Sequence, residues 1–145
     1  MKTKLKTRII FIACTTVFLI TSNLQAAFAS DERPIFALIT AEQSCTVCQQ
    51  LKPIVEELKN EFSGRVNFIT LDISSKDGLQ QSRQTAEDKG ISKFFEDNKG
   101  LVPKVGILCP GGSKTEKLFT GEIRKEAYEQ ALNFILFDTT TLCSL

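Results

Sequence analysis

Hydrophobic positions change their period several times along this chain, and each change predicts a different element. Three short runs are nearly unbroken in apolar and β-branched residues, at 34–40, 66–73 and 105–109. Such runs are typical of strands covered on both faces of a sheet. A fourth run, 115–120, follows the turn signal Pro110-Gly111-Gly112 and is predicted to pair antiparallel with the third.

Between these runs, apolar residues recur at helical spacing. One amphipathic face extends from Leu51 to Phe62 and is ended by Gly64, and another covers 127–136 at the end of the chain. Residues 77–99 are polar with sparse apolar anchors, and Gly90 divides them into two predicted helical pieces. The predicted order β-α-β-α-β-β-α indicates an α/β fold with a central mixed sheet, helices on both faces, and an enlarged helical segment between the second and third strands.

The first 29 residues have a different pattern. Lys2, Lys4, Lys6 and Arg8 precede a continuous apolar stretch, 9–20, and the segment closes in Ala27-Phe28-Ala29. This is the plan of a secretory signal peptide, with cleavage predicted after Ala29. We therefore predict a signal over 1–29, a single domain over 30–145, and an exported protein whose default compartment is the periplasm or an equivalent extracytoplasmic lumen.

The alternative is an uncleaved N-terminal membrane anchor. A spanning helix needs about 20 apolar residues, and the stretch 9–20 is shorter and already contains two threonines. With a cleaved signal, no stable membrane insertion is expected. Cys14 would then leave with the signal, and four cysteines would remain in an oxidising compartment.

Composition narrows the chemistry further. The whole chain has Lys+Arg 18 against Asp+Glu 17, so we expect no nucleic-acid binding that relies on a strong basic field. There is no histidine anywhere in the sequence, which excludes Ser-His-Asp catalysis, Cys-His catalysis and His-ligated metals. Thiols are therefore the conspicuous reactive groups, and no metal site is predicted.

The motif Cys45-Thr46-Val47-Cys48 lies where the first strand gives way to a helix. A helix N-terminus offers unpaired amides and a positive dipole end, which stabilise a thiolate on the first cysteine. The second cysteine can resolve a mixed disulfide. In this strand-to-helix context, C-x-x-C indicates thiol-disulfide exchange.

Over residues 33–137 the chain resembles the thioredoxin superfamily. The resemblance rests on C-T-V-C after the first buried strand, on Pro53 inside the following helix, on Val102-Pro103 before the third strand, and on Gly121 before the last helix. It implies that Cys45 is the exposed nucleophile and Cys48 the buried resolving thiol. It also implies that Pro103 is cis.

The same resemblance implies how a substrate is held. Val102 and Pro103 would position an extended substrate segment, with Thr46 and Val47 of the spacer beside it. The cofactor would be the cysteine pair itself, with no other group. Partners would be protein thiols and disulfides together with an external redox partner, and we expect a monomer.

The chain also departs from the superfamily pattern. Ser44 replaces the usual Trp before the first cysteine, and Lys104 follows the proline where a small hydroxyl residue is common. The buried acid that accepts a proton in thioredoxins would fall near Leu38, and its lysine neighbour near Thr70, so both are missing. Proton removal from Cys48 would then use water, a carboxylate such as Glu42, or the sulfur of Cys45.

These departures leave a second interpretation of the function open. The chain could be a catalytically weak interaction module in which the Cys45-Cys48 disulfide is structural and the segment 77–99 binds a protein. Within that segment Phe94 and Phe95 fit a buried helical face better than a partner surface.

Whether Cys109 and Cys143 form a disulfide is a separate question. In the resembling fold both could lie at the pole opposite the active site, so a structural disulfide that fastens the C-terminal tail is geometrically allowed. The alternative is a buried Cys109 that acts as a small hydrophobic residue, with a free thiol in the tail.

Overall fold

The computed structural model describes residues 31–41 and 43–144, so the predicted signal, Glu42 and the signal cleavage site lie outside the described residues. Four strands, five α-helices and a short 3₁₀ turn follow one another along the described chain. In order they are β1 (Ile35–Thr40), α1 (Thr46–Glu61), β2 (Asn67–Asp72), α2 (Lys76–Asp88), α3 (Ser92–Asn98), β3 (Lys104–Leu108), the 3₁₀ turn (Pro110–Gly112), β4 (Thr115–Thr120), α4 (Lys125–Phe137) and α5 (Thr139–Cys143).

The four strands form one mixed sheet in the order β2-β1-β3-β4. β1 pairs parallel with β2 and antiparallel with β3, and β3 pairs antiparallel with β4. The end of β1 therefore lies beside the start of β3, because Ile39 is opposite Lys104. This end of the sheet, called here the α1 end, receives the loop that leads into α1.

Two hydrophobic cores lie on the two faces of the sheet. On one face, side chains of α1 and α4 such as Leu51, Leu58 and Leu132 pack against β1 and β3. On the other face, Phe94 and Phe95 of α3 pack with side chains of β1 and β2. The two faces confirm the predicted α/β layering, and both phenylalanines are core residues.

The packing of α3 against the sheet explains one glycine. A Cβ on Gly106 in β3 would come within 2.4 Å of the Phe94 ring. The glycine therefore lets the helix approach the strand closely. The predicted break at Gly90 is also present, because α2 ends at Asp88 and α3 begins at Ser92.

The C-terminal end differs from the sequence prediction. We predicted one terminal helix, whereas α4 ends at Phe137 and a further short helix, α5, follows. Asp138 separates the two, and its side chain accepts a hydrogen bond from the Thr141 amide at 3.1 Å. Helix periodicity could not reveal this break, because the Asp138 side chain caps the start of α5 locally.

None of the helices in the described ranges has both the length and the apolar character needed to cross a bilayer.

Candidate redox-active disulfide site

Cys45 and Cys48 lie at the N-terminus of α1 and are joined by a disulfide. Cys45 is the N-cap residue, in extended conformation, and Cys48 lies in the first turn. The two Cα atoms are 5.2 Å apart. The Cys48 amide donates a hydrogen bond to the Cys45 sulfur at 3.1 Å. An amide directed at this sulfur is the interaction that stabilises a thiolate when the bond is opened.

The two cysteines differ in their exposure to solvent. Cys45 is half-buried and Thr46 beside it is exposed, whereas Cys48 is only 3% exposed. Val47 is half-buried. An incoming thiolate therefore reaches the Cys45 sulfur more easily than the Cys48 sulfur.

No acidic side chain lies in the first turn of α1, and the Thr46-Val47 spacer carries no charge. Nothing in that turn therefore opposes a negative charge on Cys45. The positive end of the helix dipole is the main electrostatic feature there.

The loop before β3 reaches the same end of the sheet. The Val102–Pro103 peptide bond is cis, as the resemblance implies, with Val102 half-buried and Pro103 buried. The Gly121 amide donates to the Pro103 carbonyl at 3.0 Å. Lys104, at the position that departs from the superfamily pattern, donates to the Thr120 hydroxyl at 2.8 Å. These bonds tie the proline loop to the end of β4.

The loop between β4 and α4 is held by two further groups. Hydrogen bonds from Arg124 lower the pKa of the Glu122 carboxyl to about 2, and the two side chains form an ion pair at 2.6 Å. Tyr128, fully buried in α4, donates from its hydroxyl to the Glu122 carbonyl at 2.6 Å. Burial raises the pKa of Tyr128, so this hydroxyl stays protonated as a donor.

A cleft of about 240 Å³ opens beside Cys48, on the side of α1 that faces β1 and β2. Leu38 and Thr70, opposite each other in β1 and β2, contribute to its wall. These are the positions at which the superfamily pattern has a buried acid and its lysine neighbour. In this chain neither position contributes a charge to the cleft. The cleft is lined by Leu38, Thr40, Cys48, Lys52, Val55, Glu56, Lys59 and Thr70.

The charged residues of this cleft were missed by sequence reasoning. Lys52 and Glu56 follow Cys48 at intervals of four residues, which places them on one side of a helix. That spacing was the available signal. Pro53 lies inside α1, as predicted, and is exposed.

The other cysteine pair lies at the opposite end of the sheet. Cys109 follows β3, Cys143 ends α5, and a disulfide joins them with Cα atoms 5.5 Å apart. Cys109 is completely buried and Cys143 is half-buried. Lys114 also donates to the Leu142 carbonyl at 2.9 Å, so the tail is fastened twice.

Comparison with known proteins decides the family. The family model described as thioredoxin matches residues 15–96, more than half of the chain. This chain belongs to the thioredoxin family. Thioredoxin C-2 of Corynebacterium nephridii is 31% identical over 95 residues, which cover 66% of this chain and 86% of that protein.

Solved thioredoxin structures share the fold. The germline-specific thioredoxin Deadhead of Drosophila melanogaster superposes with a TM-score of 0.50 at 14% identity, covering 74% of this chain and 85% of that one. Fasciola hepatica thioredoxin gives a TM-score of 0.50 at 19% identity, covering 71% and 81%. The loop of Val102 and Pro103 lies beyond the range matched by the thioredoxin model, so its cis bond is a separate observation.

Proposed function

We propose that this thioredoxin-family protein is an exported thiol-disulfide oxidoreductase that exchanges disulfides with protein substrates through Cys45 and Cys48. The observation that carries the proposal is the asymmetry of this pair at the start of α1. Cys45 is half-buried and its sulfur accepts a hydrogen bond from the Cys48 amide, while Cys48 is 3% exposed. An accessible, amide-stabilised sulfur next to a shielded one suits a nucleophile and a resolving thiol.

In the reducing direction the reduced pair acts in two steps. The Cys45 thiolate attacks a substrate disulfide, forms one S–S bond to the substrate and releases the other substrate sulfur as a thiolate. The Cys48 thiol then loses its proton and attacks Cys45, which closes the Cys45–Cys48 bond and releases the second substrate thiolate. The substrate gains two electrons, and an external dithiol must reduce the pair again. The oxidising direction is the reverse.

The cis-proline loop would hold the substrate during these steps. Val102 is half-buried beside Pro103, at the end of the sheet that α1 also reaches. An extended peptide that pairs with the Val102 backbone would bring its sulfur to Cys45, with Thr46 and Val47 beneath it. We infer that the protein acts as a monomer and needs no cofactor beyond the cysteine pair.

A trapping experiment tests the exchange chemistry. Cys48→Ser removes the resolving thiol, so mixed disulfides between Cys45 and cellular proteins should accumulate and disappear on reduction. Non-reducing electrophoresis with mass spectrometry identifies the trapped chains. Cys45→Ser is the matched control and should trap far fewer.

Absence of trapped proteins in Cys48→Ser would contradict the proposal. It would favour an interaction module with a structural Cys45–Cys48 bond. Catalysed reduction of insulin by a dithiol, measured on the unmodified protein, gives a second and independent readout.

Export requires its own test. The full chain is produced in a Gram-negative host and fractionated, and the intact mass of the product is measured. We expect periplasmic protein that begins at Ser30. Uncleaved protein in the cytosol would contradict export, and uncleaved protein in the membrane fraction would indicate an N-terminal anchor.

A further inference from the structure

The outer edge of β4 supports an inference that lies outside the exchange chemistry. Among the described strands, β4 is the last in the sheet order β2-β1-β3-β4, so β3 is the only described strand that pairs with it. An edge strand presents unpaired backbone amides and carbonyls to any extended chain that reaches it. The residues of β4 are exposed or half-buried, so this edge is open to solvent.

The strand pairing identifies which backbone groups of β4 face outward. The Gly121 amide donates to the Pro103 carbonyl, just before β3, at 3.0 Å. In an antiparallel pair, alternate residues turn both backbone groups toward the partner strand, and the residues between them turn theirs away. Counting back from Gly121, Phe119 faces β3, whereas Leu118 and Thr120 face outward. Each of these two residues therefore offers an amide and a carbonyl to an added strand.

A cleft lies beside β4 on each face of the sheet. On the α4 face its volume is about 470 Å³, and Phe119, Ala131 and Phe134 contribute apolar wall. Phe134 is 62% exposed there. On the α3 face the volume is about 460 Å³, with Leu118 and Phe94 in the wall. Because side chains of a strand alternate between faces, a strand added at β4 would direct side chains into both clefts.

The charged side chains of the two clefts leave one positive charge. Six of them form three ion pairs, Lys114–Glu116 at 2.7 Å, Arg124–Glu122 at 2.6 Å and Lys93–Asp97 at 2.7 Å. The seventh, Lys117 of β4, is exposed, lines the cleft on the α4 face and has no ion pair with a described residue. A carboxylate opposite Lys117 on an added strand would complement this charge.

Lys117 also disfavours a second copy of this chain at the same edge. Two copies joined symmetrically and antiparallel through β4 would place both Lys117 side chains on one face of the shared sheet. Like charges on neighbouring strands destabilise the pairing. An acidic partner segment is instead stabilised by the same residue.

We propose that the outer edge of β4 is a docking site for an extended segment of a partner protein, which adds to the sheet as a further strand. The segment has apolar side chains that enter the two clefts and an acidic residue opposite Lys117. Backbone hydrogen bonds to Leu118 and Thr120 provide affinity, while the clefts and Lys117 select the sequence. The edge contains neither cysteine pair, so docking involves no exchange step.

A peptide titration tests the docking site. The probe is a capped, cysteine-free octapeptide rich in valine, with glutamate at a central position and threonine at both ends. Backbone amide shifts of the isotope-labelled, oxidised protein are followed by NMR as the peptide is added. We expect the largest shifts at the Leu118 and Thr120 amides, with saturable binding at a Kd below about 1 mM.

Charge variants test the predicted selectivity. A peptide with lysine in place of the glutamate should bind at least about tenfold more weakly. Lys117→Gln should weaken binding of the glutamate peptide about threefold, and Lys117→Arg should restore it. The matched control is Lys76→Gln, which removes an exposed lysine of α2 and should leave the affinity unchanged.

Backbone variants test strand addition itself. Leu118→Pro removes an outward amide and leaves the bonds to β3 in place, because proline is tolerated where a strand amide faces solvent. It should weaken binding at least about tenfold. N-methylation of the central amides of the peptide should have the same effect on the unmodified protein, where no folding defect can arise.

Four results would overturn the proposal. They are the absence of shifts along β4 at about 1 mM peptide, equal binding of the glutamate and lysine peptides, unchanged binding of the N-methylated peptide, and saturable shifts centred on Cys45 and Val102 instead of β4. The last would assign the peptide to the redox site. Because the probe has no cysteine, the result is independent of whether the protein exchanges disulfides.

Discussion

The two ends of the sheet each hold one disulfide, and the two bonds have different surroundings. At the α1 end, Cys45 and Cys48 are three residues apart, and Cys45 is half-buried at a helix N-terminus. At the opposite end, Cys109 and Cys143 are 34 residues apart, and Cys109 is completely buried. Solvent access and an amide hydrogen bond to the sulfur favour thiol-disulfide exchange. A disulfide that closes a long loop instead contributes more to the free energy of unfolding. The same covalent bond thus has two expected roles in one domain.

The largest expected effect is on exchange activity. Cys45→Ser removes the nucleophile and should lower the rate of dithiol-dependent insulin reduction by at least about a hundredfold. Cys143→Ser opens the other bond, far from the reacting sulfur, and should keep the rate within about twofold at a temperature where the variant is folded. An equal loss of activity in the two folded variants would contradict the different roles assigned to the two disulfides.

The second effect is on stability, where opening the Cys109–Cys143 bond should cost more than opening the Cys45–Cys48 bond. By loop length, the Cys109–Cys143 bond should contribute about 4 kcal/mol to the free energy of unfolding and the Cys45–Cys48 bond about 2 kcal/mol. Cys143→Ser opens the first and keeps the Cys109 sulfur in the core, and Cys45→Ser opens the second. Urea unfolding of both variants measures the difference. A larger loss in Cys45→Ser would contradict the structural role of the tail bond.

A smaller effect concerns the loop that adjoins the proline loop. Tyr128→Phe removes the hydrogen bond to the Glu122 carbonyl, 2.6 Å long and donated by a buried side chain. We expect the free energy of unfolding to fall by about 1 kcal/mol, with the ring packing retained. An unchanged urea midpoint would show that this bond does not anchor the loop.

The smallest effects are expected on stability at acid pH. They involve two carboxyl groups, one near each end of the sheet. Arg33 lowers the pKa of Asp31 to about 2, and Arg124 does the same for Glu122. Both folded-state values lie below the usual ones, so the stabilisation is present above about pH 4.5 and is lost as the pH falls toward 2. In Asp31→Asn and in Glu122→Gln, the urea midpoint should fall less between pH 5 and 2.5 than in the unmodified protein. A fall as steep as in the unmodified protein would contradict a stabilising role for these pairs.

Much of the fold follows from local pattern. The runs at 34–40 and 105–109 differ from β1 and β3 by a single residue at one or both ends, and 115–120 coincides with β4. The first two runs are predictable because burial on both faces demands continuous apolar residues, and β4, which is largely exposed, is predictable from the turn signal Pro110-Gly111-Gly112 before it. The placement of the cysteine motif at the start of α1 is also predictable, because the buried strand before it and the helical spacing of apolar residues after it are both local in the sequence.

Other features depend on contacts distant in sequence. Pairing of Cys109 with Cys143 requires α4 to return along the sheet and α5 to turn back toward β3, which no periodicity encodes. The cleft beside Cys48 combines side chains of β1, β2 and α1, so only the Lys52 and Glu56 spacing was readable in advance. The roles of the site residues stay predictions until exchange is measured.

The most direct test of the two roles is a redox titration that resolves both pairs. The protein is equilibrated in buffers of oxidised and reduced dithiothreitol, quenched by alkylation, and each cysteine is quantified by peptide mass spectrometry. We predict that Cys45 and Cys48 become reduced together while Cys109 and Cys143 stay bonded. We place the potential of the active pair nearer to about −270 mV than to the roughly −120 mV of strongly oxidising periplasmic enzymes. Reduction of Cys109 and Cys143 first, or of both pairs at one potential, would contradict the account.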